Sequence, residues 1–143
     1  MEVTTTPEID TLFSRYEDLT AQFDYRGIAK LYGNKLIAAG PEGLTFHSNN
    51  FVTRWQFDKA MRAFYQKAGL TSMRIISLNE NRISEQYSLV TVHWSATFRK
   101  TQDQALQFNI SYLVRKRKNK AEIVMFIAHE NKMKILEGYG ILP

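Results

Sequence analysis

Three histidines, His47, His93 and His129, are the side chains whose ordinary titration falls near neutral pH, so acid–base chemistry in this chain starts with them. Their separations fit no local metal motif such as two histidines one helical turn apart, and neither a metal nor a cofactor is expected. Cysteine is absent, which removes thiol nucleophiles, thiolate ligands and disulfides. Asp10, Asp18, Asp24, Asp58 and Asp103 all fall on predicted helices, caps or turns. Glu85, Glu122 and Glu130 are the carboxylates associated with predicted strands, each near a strand end. These groups assemble no complete catalytic constellation, and no catalytic residue is assigned from them. Phenols offer a second chemistry. Tyr16 and Tyr32 fall on apolar stretches, where a buried phenol either donates to a ligand carbonyl or closes a structural bond, Tyr16 to Tyr32 or to Ser111. Aromatic and soft side chains such as Trp55, Phe64, Tyr112 and Met125 would line a cavity for a flat or apolar molecule, and His129 would sit at its rim. The candidate ligand-binding set is therefore Tyr16, Tyr32, Trp55, Phe64, Ser111, Tyr112, Met125 and His129.

The elements that must position these residues are organised around Ser84 to Glu130. Val90, Val92, Trp94, Ala96 and Phe98 alternate with Thr91, His93, Ser95, Thr97 and Arg99, the period of a half-buried strand. After the polar turn Thr101-Gln102-Asp103 the alternation repeats, with Leu106, Phe108, Ile110, Tyr112 and Val114 on one face. The two runs form a hairpin. The third run, Ala121 to His129, is apolar on both faces, which fits a central or interface-covered strand.

Before this unit the chain reads mostly as helices. Thr5, Pro7 and Glu8 start a first helix that carries Ile9, Leu12, Phe13, Tyr16 and Leu19 on one face and runs to about Gln22. Asp24 caps a second helix through Tyr32, ended by Gly33. Lys35 to Ala39 and Leu44 to His47 are short strands around the turn Gly40-Pro41-Glu42-Gly43. Thr53 and Gln56 stand at capping-box spacing before a third helix closed by Gly69. Leu70 to Leu78 is a strand followed by a polar turn, Asn79 to Arg82. Asn131 to Glu137 gives one or two further helical turns. The order predicts one α+β domain over residues 1–143: a curved antiparallel sheet, shaped as a cone-like half barrel, packed against three helices from the N-terminal half. The concave space between the layers is a ready-made pocket.

A net charge of +5 raises the question of nucleic acid. The densest run, Arg115-Lys116-Arg117-Lys118-Asn119-Lys120, sits at a hairpin tip, and Arg99-Lys100 lies at the opposite end of the same strand. The two make no single stripe, so a solvated tip is expected and no nucleic-acid partner. Met1 to Glu8 has neither a basic nor an apolar leader region, and no apolar run is long enough to span a bilayer. The expectation is a cytoplasmic protein without membrane contact.

The element order, together with Asp24-Tyr25-Arg26-Gly27-Ile28-Ala29-Lys30-Leu31-Tyr32, the Gly40-Pro41 turn and the closing Ile127-Ala128-His129-Glu130, resembles the nuclear transport factor 2-like superfamily over nearly the whole chain. That superfamily includes SnoaL-like cyclases, ketosteroid isomerases, scytalone dehydratase and limonene epoxide hydrolase, and the resemblance is greatest to its uncharacterised single-domain bacterial members. It implies a cone barrel paired as a homodimer through the exposed face of the long-strand sheet, where Thr91, His93, Ser95, Thr97 and Asn109 suit a wet contact. Aligned on ketosteroid isomerases, the oxyanion-stabilising tyrosine falls on Tyr16 and a supporting tyrosine on Tyr32. The general base falls on Gly40 and the second acid near Ser111, so two of those three catalytic positions are missing. What the resemblance implies is a protein that binds a small apolar or aromatic molecule. The alternatives are a dehydratase- or cyclase-type enzyme using His129 and Tyr16, and a non-catalytic dimeric interaction module.

Overall fold

The computed structural model describes residues 5–101 and 104–141. Gln102 and Asp103, the tip of the predicted turn, and the last two residues of the apolar tail lie outside them. The chain runs α1 (Pro7–Ala21), α2 (Tyr25–Ala29), β1 (Tyr32–Gly40), β2 (Gly43–Ser48), α3 (Phe51–Ala68), β3 (Leu70–Arg82), β4 (Tyr87–Phe98), β5 (Ala105–Arg117), β6 (Lys120–Ala128) and α4 (Lys132–Gly138). The six strands form one curved, unclosed sheet in the order β2-β1-β6-β5-β4-β3. Every pairing is antiparallel except β1 with β6, so the sheet is mixed at that joint.

The central hairpin follows its alternation. Val90, Val92, Trp94 and Val114 are fully buried and pack with Ile9, Leu12 and Phe13 of α1. Ala96, Phe98 and Leu106 form a second cluster with Ala68, Leu70, Leu136 and Ile141, so α4 closes that end of the sheet. In β6 a register shift beside Leu113 and Val114 lets Ile123 and Phe126 both face inward. The bulge changes the parity of the strand. Met125 pairs with Leu113, which alternates with the inward Tyr112 and Val114, and therefore lies on the outer face.

Several boundaries differ from the sequence reading, each for a local reason. The second helix stops at Ala29, because Tyr32 already pairs with Ile123 and begins β1. The capping box of α3 lies one turn earlier than Thr53–Gln56: the Asn50 side chain accepts from Thr53 N–H, and Thr53 Oγ1 accepts from Asn50 N–H. Gly69 ends α3 at φ 78°, a conformation that favours glycine. The supposed turn at 79–82 is the continuation of β3, which places Glu80 opposite Val90 on the buried face.

Glu80 is the best-satisfied carboxylate of the fold. Its oxygens accept from Thr6 N–H (2.7 Å), Thr6 Oγ1 (3.3 Å) and Ser88 Oγ (2.6 Å), and Lys116 Nζ lies 3.6 Å away. Side-chain exposures of 3% for Glu80 and 10% for Lys116 make this a buried pair. Burial pushes the carboxyl up, but the Ser88 and Thr6 hydrogen bonds and the Lys116 charge outweigh it and hold Glu80 below the usual range. This contact fixes the start of α1, whose N-cap residue Thr6 makes no side-chain cap of its own.

Candidate functional site

Tyr16 is aimed by two contacts that fix α1 on the sheet. Glu17 Oε2 accepts from Ile75 N–H at 2.6 Å, beside the register shift of β3, and Glu80 holds the other end of the helix. Tyr16 then projects between β1 and β5, with its hydroxyl 2.9 Å from that of Tyr32. Its ring lies 5.7 Å from Tyr112 and 5.5 Å from Trp94, centroid to centroid. Trp94 Nε1–H donates to the Tyr112 hydroxyl at 3.0 Å. Burial pushes all three phenols up, Tyr32 and Tyr112 well above their ordinary value. On Tyr16 the hydroxyls of Tyr32 and Tyr112 act in the opposite direction, favouring negative charge there. The cluster is neutral and protonated at physiological pH, a set of donors in an apolar setting.

Above the phenols lies a cavity of about 350 Å³ between the sheet and α3. Leu36 and Ala38 of β1, Met73 of β3, Phe108 and Ile110 of β5 and Phe126 of β6 form its walls, and Phe57, Met61 and Tyr65 of α3 its cover. The cavity survives because α3 packs on α2 and meets the sheet only near its C-terminal end, where Ala68 and Phe64 join the second core cluster, so space is left beneath Phe57 and Met61. His47, Arg54 and Lys132 also line it, Arg54 beside Asn49 at the start of α3 and Lys132 beside Tyr65 near the end of that helix. Arg54 is placed there by Asn49, whose Nδ2 donates to the carbonyls of Ala29, Tyr32 and Gly33 at 2.8–3.1 Å and whose Oδ1 accepts from Arg54 at 3.4 Å. Tyr25 also lines the cavity. It is 5% exposed, its hydroxyl has no hydrogen-bond partner, and burial pushes its phenol up to about 12.

Tyr16, Tyr32 and Tyr112 are thus brought together on the cavity, and the other five candidates are not among its lining residues. Trp55 lies on the outer side of α3, 48% exposed with Lys59 over its ring. Phe64 packs into the second core cluster against Tyr65. Met125 is turned outward by the bulge in β6. Ser111 and His129 share the outer face: Ser111 Oγ is 2.7 Å from His129 Nε2 and 2.9 Å from Thr91 Oγ1. The sheet therefore separates His129 from Tyr16, which removes an enzyme that uses both on one substrate. A serine bonded to an imidazole is the contact of an activated nucleophile. Here none of the described pockets is lined by either residue, and no described carboxylate bonds the histidine.

Sequence reasoning missed Arg54, Lys132, His47 and Tyr25. Asn49-Asn50 before a helix was the available signal for Arg54; nothing local distinguishes Tyr25. Among the described residues no cluster of three or more histidines and carboxylates could hold a metal ion. No helix among them is long and apolar enough to cross a membrane.

A curved six-stranded sheet wrapped on its helices, with a phenol-floored cavity between the layers, defines a cone-shaped α+β protein of the cystatin-like, nuclear transport factor 2-like class. Residues 7–131 match the family model described as NTF2-like protein (DUF6841), and the chain belongs to that family. No curated protein matches it. Among solved structures it is similar to an NTF-2 like protein of unknown function from Shewanella oneidensis, at 15% identity and TM-score 0.64, covering 86% of this chain and 97% of that one. It is also similar to a protein of unknown function with a cystatin-like fold from Nostoc punctiforme, at 15% identity and TM-score 0.63, covering 92% and 96%. A putative scytalone dehydratase from Novosphingobium aromaticivorans matches at 13% identity and TM-score 0.62, covering 84% and 79%. At these identities the likeness concerns the fold.

Proposed function

We propose that this protein binds a small apolar or aromatic molecule in the cavity between α3 and the sheet. The observation that carries this reading is a cavity of about 350 Å³ walled by aliphatic and aromatic side chains, with hydrogen-bonding phenols at its floor. Clefts of that size and character hold small ligands. Binding fits better than catalysis, because no carboxylate is among the lining residues and His47 is exposed with its Nε2 2.8 Å from Thr45 Oγ1. Native mass spectrometry of the purified protein, followed by denaturing release, tests it. The wild type is expected to carry a discrete adduct that Ala38→Trp, which fills the cavity from the β1 wall, does not carry. A wild type that is bare and does not acquire an aromatic ligand on titration would count against binding.

We further propose that a second copy covers the outer face of the sheet. Supporting this, Phe46, Ile37, Met125, Leu113 and Leu89 pair in one continuous apolar row across β2, β1, β6, β5 and β4. Phe46 in that row is 75% exposed in the single chain. An apolar row of this extent on an uncovered sheet face marks an association surface, and the mass in solution is the test.

A further inference from the structure

The polar groups that reach the cavity are biased in one direction. Arg54 and Lys132 bring two cations to its lining and no carboxylate accompanies them. Arg54 contacts only the neutral amide of Asn49, at 3.4 Å, and forms no ion pair with any described carboxylate. Lys132 Nζ donates to the Tyr65 hydroxyl at 2.8 Å and sits over the Phe64 and Tyr65 rings, again without a carboxylate. Elsewhere the cations Arg62, Arg115 and Lys116 are paired with Asp58, Glu122 and Glu80. Deeper in, the Tyr25 hydroxyl is buried without a partner. The Trp94 N–H can only donate, which orients the Tyr112 hydroxyl proton away from it, towards the Tyr16–Tyr32 side of the floor. The site offers donors and positive charge, and asks for acceptors and negative charge.

Resting on the reading of the cavity as a ligand site, we infer that its ligand is an apolar organic anion. Its ring or aliphatic body occupies the walled space. Its acidic head group lies at Arg54, whose guanidinium presents a planar fork to two oxygens, while Lys132, held at Tyr65 about 16 Å further along α3, adds positive charge to the lining from a distance. An acceptor on the body meets the unpartnered hydroxyl of Tyr25.

Two dyes that share one body separate the claims: neutral N-phenyl-1-naphthylamine and its sulfonated relative 8-anilinonaphthalene-1-sulfonate, titrated by fluorescence. The wild type is expected to bind the sulfonate about tenfold more tightly at low salt, with the advantage shrinking as salt screens the exposed charges. Arg54→Gln is expected to weaken the sulfonate about fivefold and to leave the neutral dye within about twofold, the loss of one charge-assisted contact. Lys132→Gln should act in the same direction with a smaller effect. Ala38→Trp should abolish both, which locates them in the cavity. Equal affinity of the wild type for the two dyes, or sulfonate binding that Arg54→Gln does not change, overturns the anion inference while leaving the cavity reading intact. A wild type that binds neither dye overturns both.

Discussion

Tyr16, Glu17 and Glu80 show how few residues set the site. Glu17 and Glu80 tie α1 to β3 through backbone N–H groups, and Tyr16 inherits its direction from that docking. Glu80 has the larger consequence, since its folded-state pKa lies below its ordinary value. A depressed carboxylate stabilises the fold above its unfolded value, about 4.3, and loses that contribution as pH falls through the folded value. Glu80→Gln is expected to cost about 3 kcal/mol at pH 7, because it leaves Lys116 buried without its counter-charge. The variant should also show a flatter loss of stability between about pH 5 and pH 3 than the wild type. Urea denaturation across that range measures both. The sequence showed Glu80 only as part of a polar tetrapeptide, since a solvated turn and a strand that buries one carboxylate have the same composition. Its pairing opposite Val90 is a long-range fact.

At the scale of elements, the outer face of β4 and β5 carries an ordered polar ladder. His93 Nδ1 is 2.8 Å from Asn109 Oδ1 and its Nε2 is 2.8 Å from Gln107 Oε1. Oxygens on both ring nitrogens favour the doubly protonated imidazolium, so Gln107 and Asn109 raise the His93 pKa, with Glu130 adding in the same direction. The sign follows from linkage. A raised histidine stabilises the fold fully below its unfolded pKa, about 6.5, and loses that contribution as pH rises through the higher folded value. The wild type is therefore expected to have a higher Tm at pH 6 than at pH 8 by more than His93→Gln does, measured calorimetrically in the same buffers. Helix α3 is the opposite case. It is well capped at Asn50 and Gly69, yet it exposes Phe51, Val52 and Trp55 and leaves the cavity beneath Phe57 and Met61. Its capping box stands one turn before the Thr53–Gln56 spacing because Thr53 satisfies both spacings, and Asn50 wins by holding the free N–H of Thr53.

For the whole molecule, the sheet divides two surfaces with different chemistry. The concave side holds the phenols and the cavity, and the convex side holds the apolar row and the polar ladder. Met125→Asp places a charge in the middle of that row, opposite Leu113 and Ile37, with no contact to the cavity. It is expected to convert a dimer to a monomer in sedimentation while leaving dye binding within about twofold, since unpaired charge at the core of an interface costs several kcal/mol. A wild type that sediments as a monomer overturns the association surface.

The period of two in β4 and β5, the period of the α1 face and the punctuation at Gly40-Pro41 and Gly69 were legible in the sequence, because each rests on contacts between near neighbours in the chain or on one side of one element. They determined an α+β cone and placed Tyr16, Tyr32 and Tyr112 at its interior. The tertiary structure alone decided the rest. A one-residue bulge in β6 turned Met125 outward; the pairing of β6 with β5 put His129 behind the sheet beside Ser111, whose face the period of β5 already gave; the Asn49 hub and the start of α4 brought Arg54 and Lys132 to the cavity. Those outcomes depend on register and on which distant strands become neighbours, and no local stretch of side chains encodes either.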